Sequence, residues 1–368
     1  MLWLVLLVVS LGLTYRWFKN RRILQLASQI KCDIKAYPLL GHAYLFIGGG
    51  ESRMRTFERL GREAIKNGGL TNMWLGDNYF TVVVDPVDLE LILKSSLEKD
   101  DVMRFARNLI GNGTIFAPVS IWRPRRKVLA PTFSPKNLNS FVRIFSQQST
   151  VLAEQLQKEA GRGPFSLWKY LTSYTMDSVC ETALGVNVNA QKTEDEPFLK
   201  AFEKCSILIA ERMVQPWIYA DAVYKLLPYH EAFEKSKSVI SSGITLVPGC
   251  GVLVHIWGTQ RNPRYWGDDA EQFRPERFLE APLQHPAAFM AFSHGPRNCL
   301  GYQYAMMSMK TALATLIRNY RVSIPDVTKN GSRTELKPIR ITFDVMMKDA
   351  DRFTVQLESR RKKEGKFR

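Results

Sequence analysis

Apolar and polar positions recur along this chain with two periods, and the helical one dominates. Apolar side chains return every third or fourth position from Leu138 to Leu156 and from Phe165 to Leu184, which predicts amphipathic helices. Pro197 to Met213 and Trp217 to Ile240 read as further helical segments, broken by Pro216 and Pro228. Tyr304 to Arg318 predicts another helix, with Met306, Met307 and Met309 filling a core. The two-residue period is confined to short runs. Leu70 to Leu75 and Tyr79 to Val84 flank Gly76-Asp77-Asn78 and stop at Asp85-Pro86, which predicts a hairpin. Arg340 to Val345 and Phe353 to Leu357 predict a late hairpin, and Ile244 to Trp257 is a strand-like run interrupted by Pro248-Gly249. Val87 to Lys94 reads as a short helix, and Arg104 to Phe116 as a loop punctuated by Gly111 and Gly113. The run Gly48-Gly49-Gly50 has no lysine after it to make a phosphate cradle and reads as a loop.

The amino end has a pattern of its own. Leu2 to Leu13 is almost unbroken apolar sequence, closed by Arg16, Lys19, Arg21 and Arg22 around the aromatics Trp17 and Phe18. A secretory leader carries its positive charge before the apolar run and small residues after it. Here the order is reversed. Residues 1–18 are therefore expected to be an uncleaved membrane anchor, at the short end of the roughly 17 to 25 residues that span a bilayer. The basic flank stays on the cytoplasmic side. Residues 19–36 make a polar, basic linker, and Tyr37-Pro38-Leu39-Leu40-Gly41-His42 stiffens and turns the chain.

Composition adds two limits. With 368 residues, 45% of them hydrophobic, the chain is long enough to bury a large core. Its 51 Lys and Arg exceed 35 Asp and Glu, for a net charge of +16. The basic residues are dispersed and no recognition motif accompanies them, so a nucleic-acid partner is set aside in favour of a membrane surface and an acidic protein. Cys32, Cys180, Cys205, Cys250 and Cys299 are odd in number and widely scattered, which argues for a reducing compartment and against a disulfide framework or a zinc site.

One stretch carries chemistry. Phe292 to Gly301 reads Phe-Ser-His-Gly-Pro-Arg-Asn-Cys-Leu-Gly and runs straight into a helical segment. Cys299 suits the axial position of a haem iron, because a thiolate pushes electron density onto the metal. The helix that follows turns free N–H groups and a positive dipole end toward the sulfur. Gly295 permits a tight turn and Gly301 a close helix approach, Phe292 screens the sulfur, and Arg297 is placed to pair with an anionic propionate. His294, the rival ligand, has no second histidine at helical spacing and reads as an ordinary loop residue.

The pattern Phe-x-x-Gly-x-Arg-x-Cys-x-Gly resembles the haem-binding loop of the cytochrome P-450 family, and Ala291 to Lys310 is most similar to its insect microsomal members. That resemblance implies a mainly α fold with small β-sheets (α+β) and a thiolate-ligated haem, iron protoporphyrin, on Cys299. It implies electrons from NADPH through a flavin reductase and insertion of one oxygen atom from O2 into a lipophilic substrate, fatty-acid-like or xenobiotic. The location would be the endoplasmic reticulum membrane. Trp122 and Arg126, four residues apart and so on one helical face, match the family's pair that reaches the haem propionates. Pro124 would confine their helix to starting near Ile121 or Trp122. Arg123, Arg125 and Lys127 offer a basic face for an acidic electron donor.

Part of the pattern is missing. After Ile240, Ser241-Ser242-Gly243 leads directly to the strand-like run, where the resemblance calls first for a long central helix and a helix bearing Glu-x-x-Arg. Neither has a counterpart, so no residue is assigned to the oxygen-activating acid and alcohol pair, and Glu181-Thr182 is not it. Glu159/Arg162, Glu271/Arg274 and Glu358/Arg361 have the Glu-x-x-Arg spacing in the wrong places. Arg277 in Pro275-Glu276-Arg277-Phe278 is then expected to turn to solvent or stay buried without a partner, a fault of roughly 3 to 5 kcal/mol. The resulting division is 1–18 anchor, 19–36 linker, 37–240 amino-terminal part of the haem domain and 241–368 its haem-binding part. The competing reading is a truncated product that binds haem or misfolds, without turnover.

Overall fold

The computed structural model describes residues 2–193, 197–227, 251–325, 328–329, 332–333 and 339–360. The junction near 241, the second half of Trp217–Ile240, the start of Ile244–Trp257 and most of the basic tail lie outside them.

The expected anchor is the first half of a longer helix, α1 (Leu2–Gln29), which runs on through the basic flank. Trp3, Leu7, Leu11, Tyr15 and Phe18 recur at helical spacing and are all exposed. Among the described residues, no helix is long and apolar enough to cross a membrane.

The amino-terminal core forms around α2 (Gly50–Lys66) and the predicted hairpin, β1 (Leu70–Leu75) and β2 (Asn78–Val83). Met54, Leu60 and Ala64 lie on one face of α2, and Leu60 and Ala64 pack with Phe46, Met73, Phe80 and Val82 in a single cluster. The third glycine of the triple run opens α2, where a side chain would bring a Cβ within 2.8 Å of Asp344 Oδ1. β4 (Gly251–Val254) lies parallel to β2, with Phe80 opposite Gly251 and Val83 opposite Val254. The chain beyond the junction is thus stitched onto the sheet laid down before it. His255 follows β4 and is packed against Gly61, where a Cβ would lie 2.6 Å from the ring. Its Nε2 lies 2.7 Å from the Phe57 carbonyl and its Nδ1 accepts from Gly258 N at 3.0 Å.

Arg53, fully buried on α2, fastens the same core to the chain's far end. It donates to the carbonyls of Phe343 (3.0 Å) and Gly48 (3.2 Å) and pairs with Asp344 and, at 3.6 Å, Glu211. After the two-residue strands β6 (Thr328–Lys329) and β7 (Ser332–Arg333), which pair with each other, Asp344 closes β8 (Ile341–Asp344), which pairs with β9 (Met346–Asp349) through a turn at Val345, φ +66°. The expected pairing of Arg340–Val345 with Phe353–Leu357 is therefore replaced. The later run, β10 (Thr354–Ser359), pairs instead with β3 (Phe165–Ser166) and β5 (Tyr320–Ser323), because the Val345 turn gives β8 a nearer partner.

Helices make up the rest. α3 (Pro86–Ser95) is capped by Asp85, whose carboxylate accepts from Val87 N at 2.9 Å. The expected loop after it is half helix: α4 (Arg104–Ile110) buries Phe105, Ala106 and Leu109 before Gly111 ends it at φ +60°. α5 (Val119–Leu129) begins before the predicted start, leaving Pro124 in its second turn. α6 (Pro135–Leu156), α7 (Trp168–Val179) and α8 (Pro197–Val214) follow the predicted period closely. After the four-residue helices α9 (Ile256–Thr259), α10 (Pro263–Trp266) and α11 (Arg277–Glu280), the long helix α12 (Tyr302–Asn319) packs on α6 and α7. Ser308, Ala312 and Leu316 face that core, whereas Met306 and Met309, expected inside it, are exposed together with Tyr302, Leu313 and Ile317.

Arg277 is neither free nor orphaned. Its guanidinium pairs with Asp269 at 3.0 Å and donates to the carbonyls of Arg274 (3.1 Å), Trp266 (3.0 Å) and Asp269 (2.9 Å). The expected fault does not arise, because the irregular stretch 266–274 wraps the side chain in its own backbone. Hydrogen bonding to Arg277 holds the Asp269 carboxyl below the usual range.

Two buried histidines predict a pH dependence. Burial pushes the pKa values of His42 and His255 down from the usual 6.5, so folding favours their neutral forms. Below that pH the unfolded chain takes up protons that the folded chain refuses, so stability falls as pH drops. Urea midpoints measured at pH 7.5 and 5.5 should be lower at about 5.5, and His255→Gln should flatten the difference. Equal midpoints in the parent would contradict this account.

Candidate metal centre at Cys299

The Cys299 loop is held shut by its own backbone. Ser293 and Gly295 take φ values of +63° and +74°, Asn298 N donates to Gly295 O at 3.0 Å, and Cys299 N donates to Phe292 O at 2.9 Å. Gly295 is demanded by α3: a Cβ there would lie 2.7 Å from the Leu93 carbonyl oxygen. At Gly301 a Cβ would meet the Phe133 ring at 3.3 Å. α12 starts at Tyr302, so Cys299 stands just off the helix end where N–H groups lack partners. The thiol is exposed. Phe292 packs beside it against Tyr302, ring centroids 6.1 Å apart.

Two arginines dock this loop onto α5. Arg126 donates to Asn298 O at 2.7 Å and Asn298 Oδ1 at 2.6 Å, so both of its terminal nitrogens hold the residue next to the cysteine. The Arg297 guanidinium lies over the Trp122 ring, 4.5 Å from its centroid, with Arg126 5.9 Å from the same ring. Trp122 itself is 5% exposed. Arg297 donates to Ala117 O at 2.7 Å and reaches Ile115 O at 3.5 Å, and its buried Nε has no partner. Burial lowers the Arg297 pKa, opposed by Glu98 and reinforced by the Arg126 charge. Lys99 keeps much of its surface in water, yet desolvation first and the Arg297 charge second lower its pKa. Cationic charge thus gathers where the cysteine loop meets α5.

That arrangement fits a haem. An arginine nitrogen buried without a partner is a donor awaiting an acceptor, and a propionate carboxylate supplies one. Among the described residues, no three His, Cys, Asp or Glu are grouped to hold a metal ion; a single sulfur donor suits a metal whose remaining positions belong to a macrocycle. His294 is turned away from this task. It lies 3.5 Å from Glu90, which also meets His285 at 3.2 Å and Lys94 at 2.6 Å. Glu181 and Thr182 are likewise engaged in packing, accepting from Gln148 at 2.7 Å and bonding the Tyr304 hydroxyl at 2.9 Å. Of the misplaced Glu-x-x-Arg pairs, Glu271 pairs with Arg62 at 2.7 Å and Arg274 with Asp269 at 2.6 Å.

Trp122, Arg126, Phe292, Gly295, Arg297, Cys299 and Gly301 come together in one region. Asn298 was not legible as a clamp, since its partner lies 172 residues away. Two surface hollows, about 390 Å³ along Arg55, Glu58 and Arg62 and about 460 Å³ along Thr150, Gln157 and Arg318, include no residue of the loop.

The family model described as Cytochrome P450 matches residues 34–242 and 234–343. The chain belongs to the cytochrome P450 family. Members of this family carry a thiolate-ligated haem iron. Human Cytochrome P450 4V2 is 31% identical over 207 residues, covering 56% of this chain and 39% of the human protein. Cytochrome P450 4c21 of the cockroach Blattella germanica is 29% identical over 213 residues, 57% of this chain and 42% of its own. These matched stretches span less than half of the curated relatives' length. Mouse Cytochrome P450 4V2 aligns at 22% identity over 454 residues, with 82% of this chain and 85% of the mouse protein. An alignment longer than the 368 residues of this P450 chain means that the mouse protein carries residues without counterpart here. The two family-model matches meet at 234–242, which agrees with an omission near residue 241.

The close approach of Gly295 to α3 is testable. Gly295→Ala places a Cβ against the Leu93 carbonyl at a backbone angle that L-residues avoid, and should lower stability by about 2 kcal/mol. A urea midpoint unchanged from the parent would show that the loop yields instead.

Proposed function

We propose that this chain binds haem through the Cys299 thiolate and derives from a membrane-apposed monooxygenase that acts on a lipophilic, fatty-acid-like or xenobiotic substrate. The observation that carries the reading is the open Cys299 thiol at the start of α12 with the unpartnered Arg297 nitrogen beside it. When bound, thiolate-ligated haem supplies an iron at which dioxygen is activated and one oxygen atom is passed to the substrate. Phe292 shields one side of the sulfur, Arg297 meets a propionate, Trp122 supports the Arg297 guanidinium, and Arg126 fixes the loop through Asn298. Gly295 and Gly301 let α3 and Phe133 close on the loop. Exposed Arg123, Arg125 and Lys127 on α5 suit an acidic flavin reductase that delivers electrons from NADPH. The exposed apolar stripe of α1, followed by its basic half, suits insertion of residues 1–18 into the endoplasmic reticulum membrane, with 19–36 as linker. On this reading 37–240 and 241–368 are two parts of one haem domain.

A second reading, haem binding without turnover, is supported by the residues the mouse relative has in excess and by the uncovered thiol. No residue is assigned to hold a proton over the distal side, and Glu181 and Thr182 are bound elsewhere. A positioned acid is what general acid catalysis of oxygen cleavage requires. The two readings share Cys299 and differ only in turnover.

Expressed with haem, reduced and exposed to carbon monoxide, the parent should show the far red-shifted Soret band of thiolate ligation, and Cys299→Ser should lose it. A parent without that band refutes both readings. Product formation with reductase and NADPH separates them.

A further inference from the structure

Glu90 lies on α3, one turn before the Leu93 carbonyl against which Gly295 is packed. Lys94, four residues on, donates to Glu90 Oε1 at 2.6 Å, as an ordinary helix pair does. Two further groups come from outside the helix. His294, inside the cysteine loop, brings its Nε2 to 3.5 Å from Oε1, and His285, ahead of the loop, brings its Nε2 to 3.2 Å from Oε2. The backbone fixes the His285 ring: Nδ1 accepts from Ala287 N at 3.2 Å, so the neutral ring carries its proton on the nitrogen that faces Glu90. Lys94 above all, with His294 and His285 adding to it, holds the Glu90 carboxyl below the usual carboxylate range. The side chains of Glu90, His285 and His294 are no more than 26% exposed, which limits competition from water. These polar contacts are not what keeps α3 in place, since Leu89 packs with Val83, Ala287 and Met290 in a buried cluster. What they hold is the loop. Asn298 N donates to Gly295 O at 3.0 Å, so the turn before Cys299 runs from His294 and Gly295 on α3 to Asn298, which Arg126 of α5 holds. An anion grips one end of that turn and a cation the other.

We propose that Glu90 is a positioning residue for Cys299: through His294 and His285 it seats the cysteine loop on α3 and so sets where the sulfur stands. The proposal rests on the haem reading above. In the full chain without haem, hydrogen exchange of the peptide covering 292–299 is followed by mass spectrometry. Glu90→Ala and His294→Ala should each speed it roughly fivefold, and the double variant should exchange as Glu90→Ala alone does. Exchange in the hairpin of β1 and β2 should stay at the parent rate in every variant. Lys94→Met leaves both histidine contacts in place and should leave the loop at the parent rate. Loaded with haem, reduced and given carbon monoxide, Glu90→Ala should lose part of the far red-shifted Soret band to a band at the ordinary haem position. An equal rise of exchange in the hairpin would mean that Glu90 acts through the whole fold, and additive effects of the two substitutions would mean that His294 is not the route. Loosening of the loop by Lys94→Met would assign the effect to α3 itself, and a Glu90→Ala band identical to the parent's would mean that the sulfur is set elsewhere. Each of these results overturns the proposal. Should Glu90→Ala fail to fold, His294→Ala decides by the same comparison of loop with hairpin. A parent without the red-shifted band refutes the haem reading, whereas a parent with that band and a Glu90→Ala loop exchanging at the parent rate refutes the positioning alone.

Discussion

The contact on which the site depends is the clamp between α5 and the cysteine loop. Arg126 holds the backbone and side chain of Asn298, and the Arg297 guanidinium sits over the Trp122 ring. Hydrogen bonds from a charged donor contribute about 1.5 to 3 kcal/mol each, and a partly buried cation over an indole about 1 to 2 kcal/mol. Three such contacts are enough to fix the cysteine against a helix that lies far away in sequence. Without them the loop would be an ordinary surface turn carrying an ordinary thiol. With them, the loop that carries the sulfur is held against α5, and the sulfur stands at the start of α12.

The clamp works because the parts it joins are themselves anchored across the junction near 241. β4 pairs with β2 immediately after the junction, His255 plugs the cleft at Gly61, and Arg53 ties α2 to Phe343 and Asp344. The Arg53 pair is a risky device. Burying a guanidinium is repaid only when its remaining N–H groups are satisfied, and the carbonyls of Phe343 and Gly48 do that here. Removing one partner from such a network leaves a buried charge, so the junction is held by contacts that are strong together and weak singly.

The hairpin of β1 and β2, the helices α6 to α8 and the cysteine loop were legible in the sequence because each is local: period, turn residues and motif spacing lie within a few tens of residues. What was not legible depends on distant partners. Apolar spacing places Met306 and Met309 on a helix but cannot say which face meets α6, and the core took Ser308, Ala312 and Leu316 instead. Proline rules placed the start of α5 too late, since an α-helix tolerates a proline in its second turn when packing holds the remaining residues. Arg277 shows the same limit more sharply. The expected partners have no counterpart in the sequence pattern, yet the penalty was assigned to a side chain whose neighbours in 266–274 supply carbonyls and a carboxylate instead.

That replacement separates polar from apolar groups. A polar group orphaned near the surface can recruit backbone carbonyls from irregular chain, because such chain adjusts at little expense. An apolar face has no such recourse. Tyr302, Met306, Met309, Leu313 and Ile317 form one exposed stripe along α12. The same helix begins beside an exposed Cys299. The charge of Arg277 is therefore met locally by irregular chain, whereas the apolar stripe of α12 stays in water, because burying it takes a second apolar surface and not a few carbonyls.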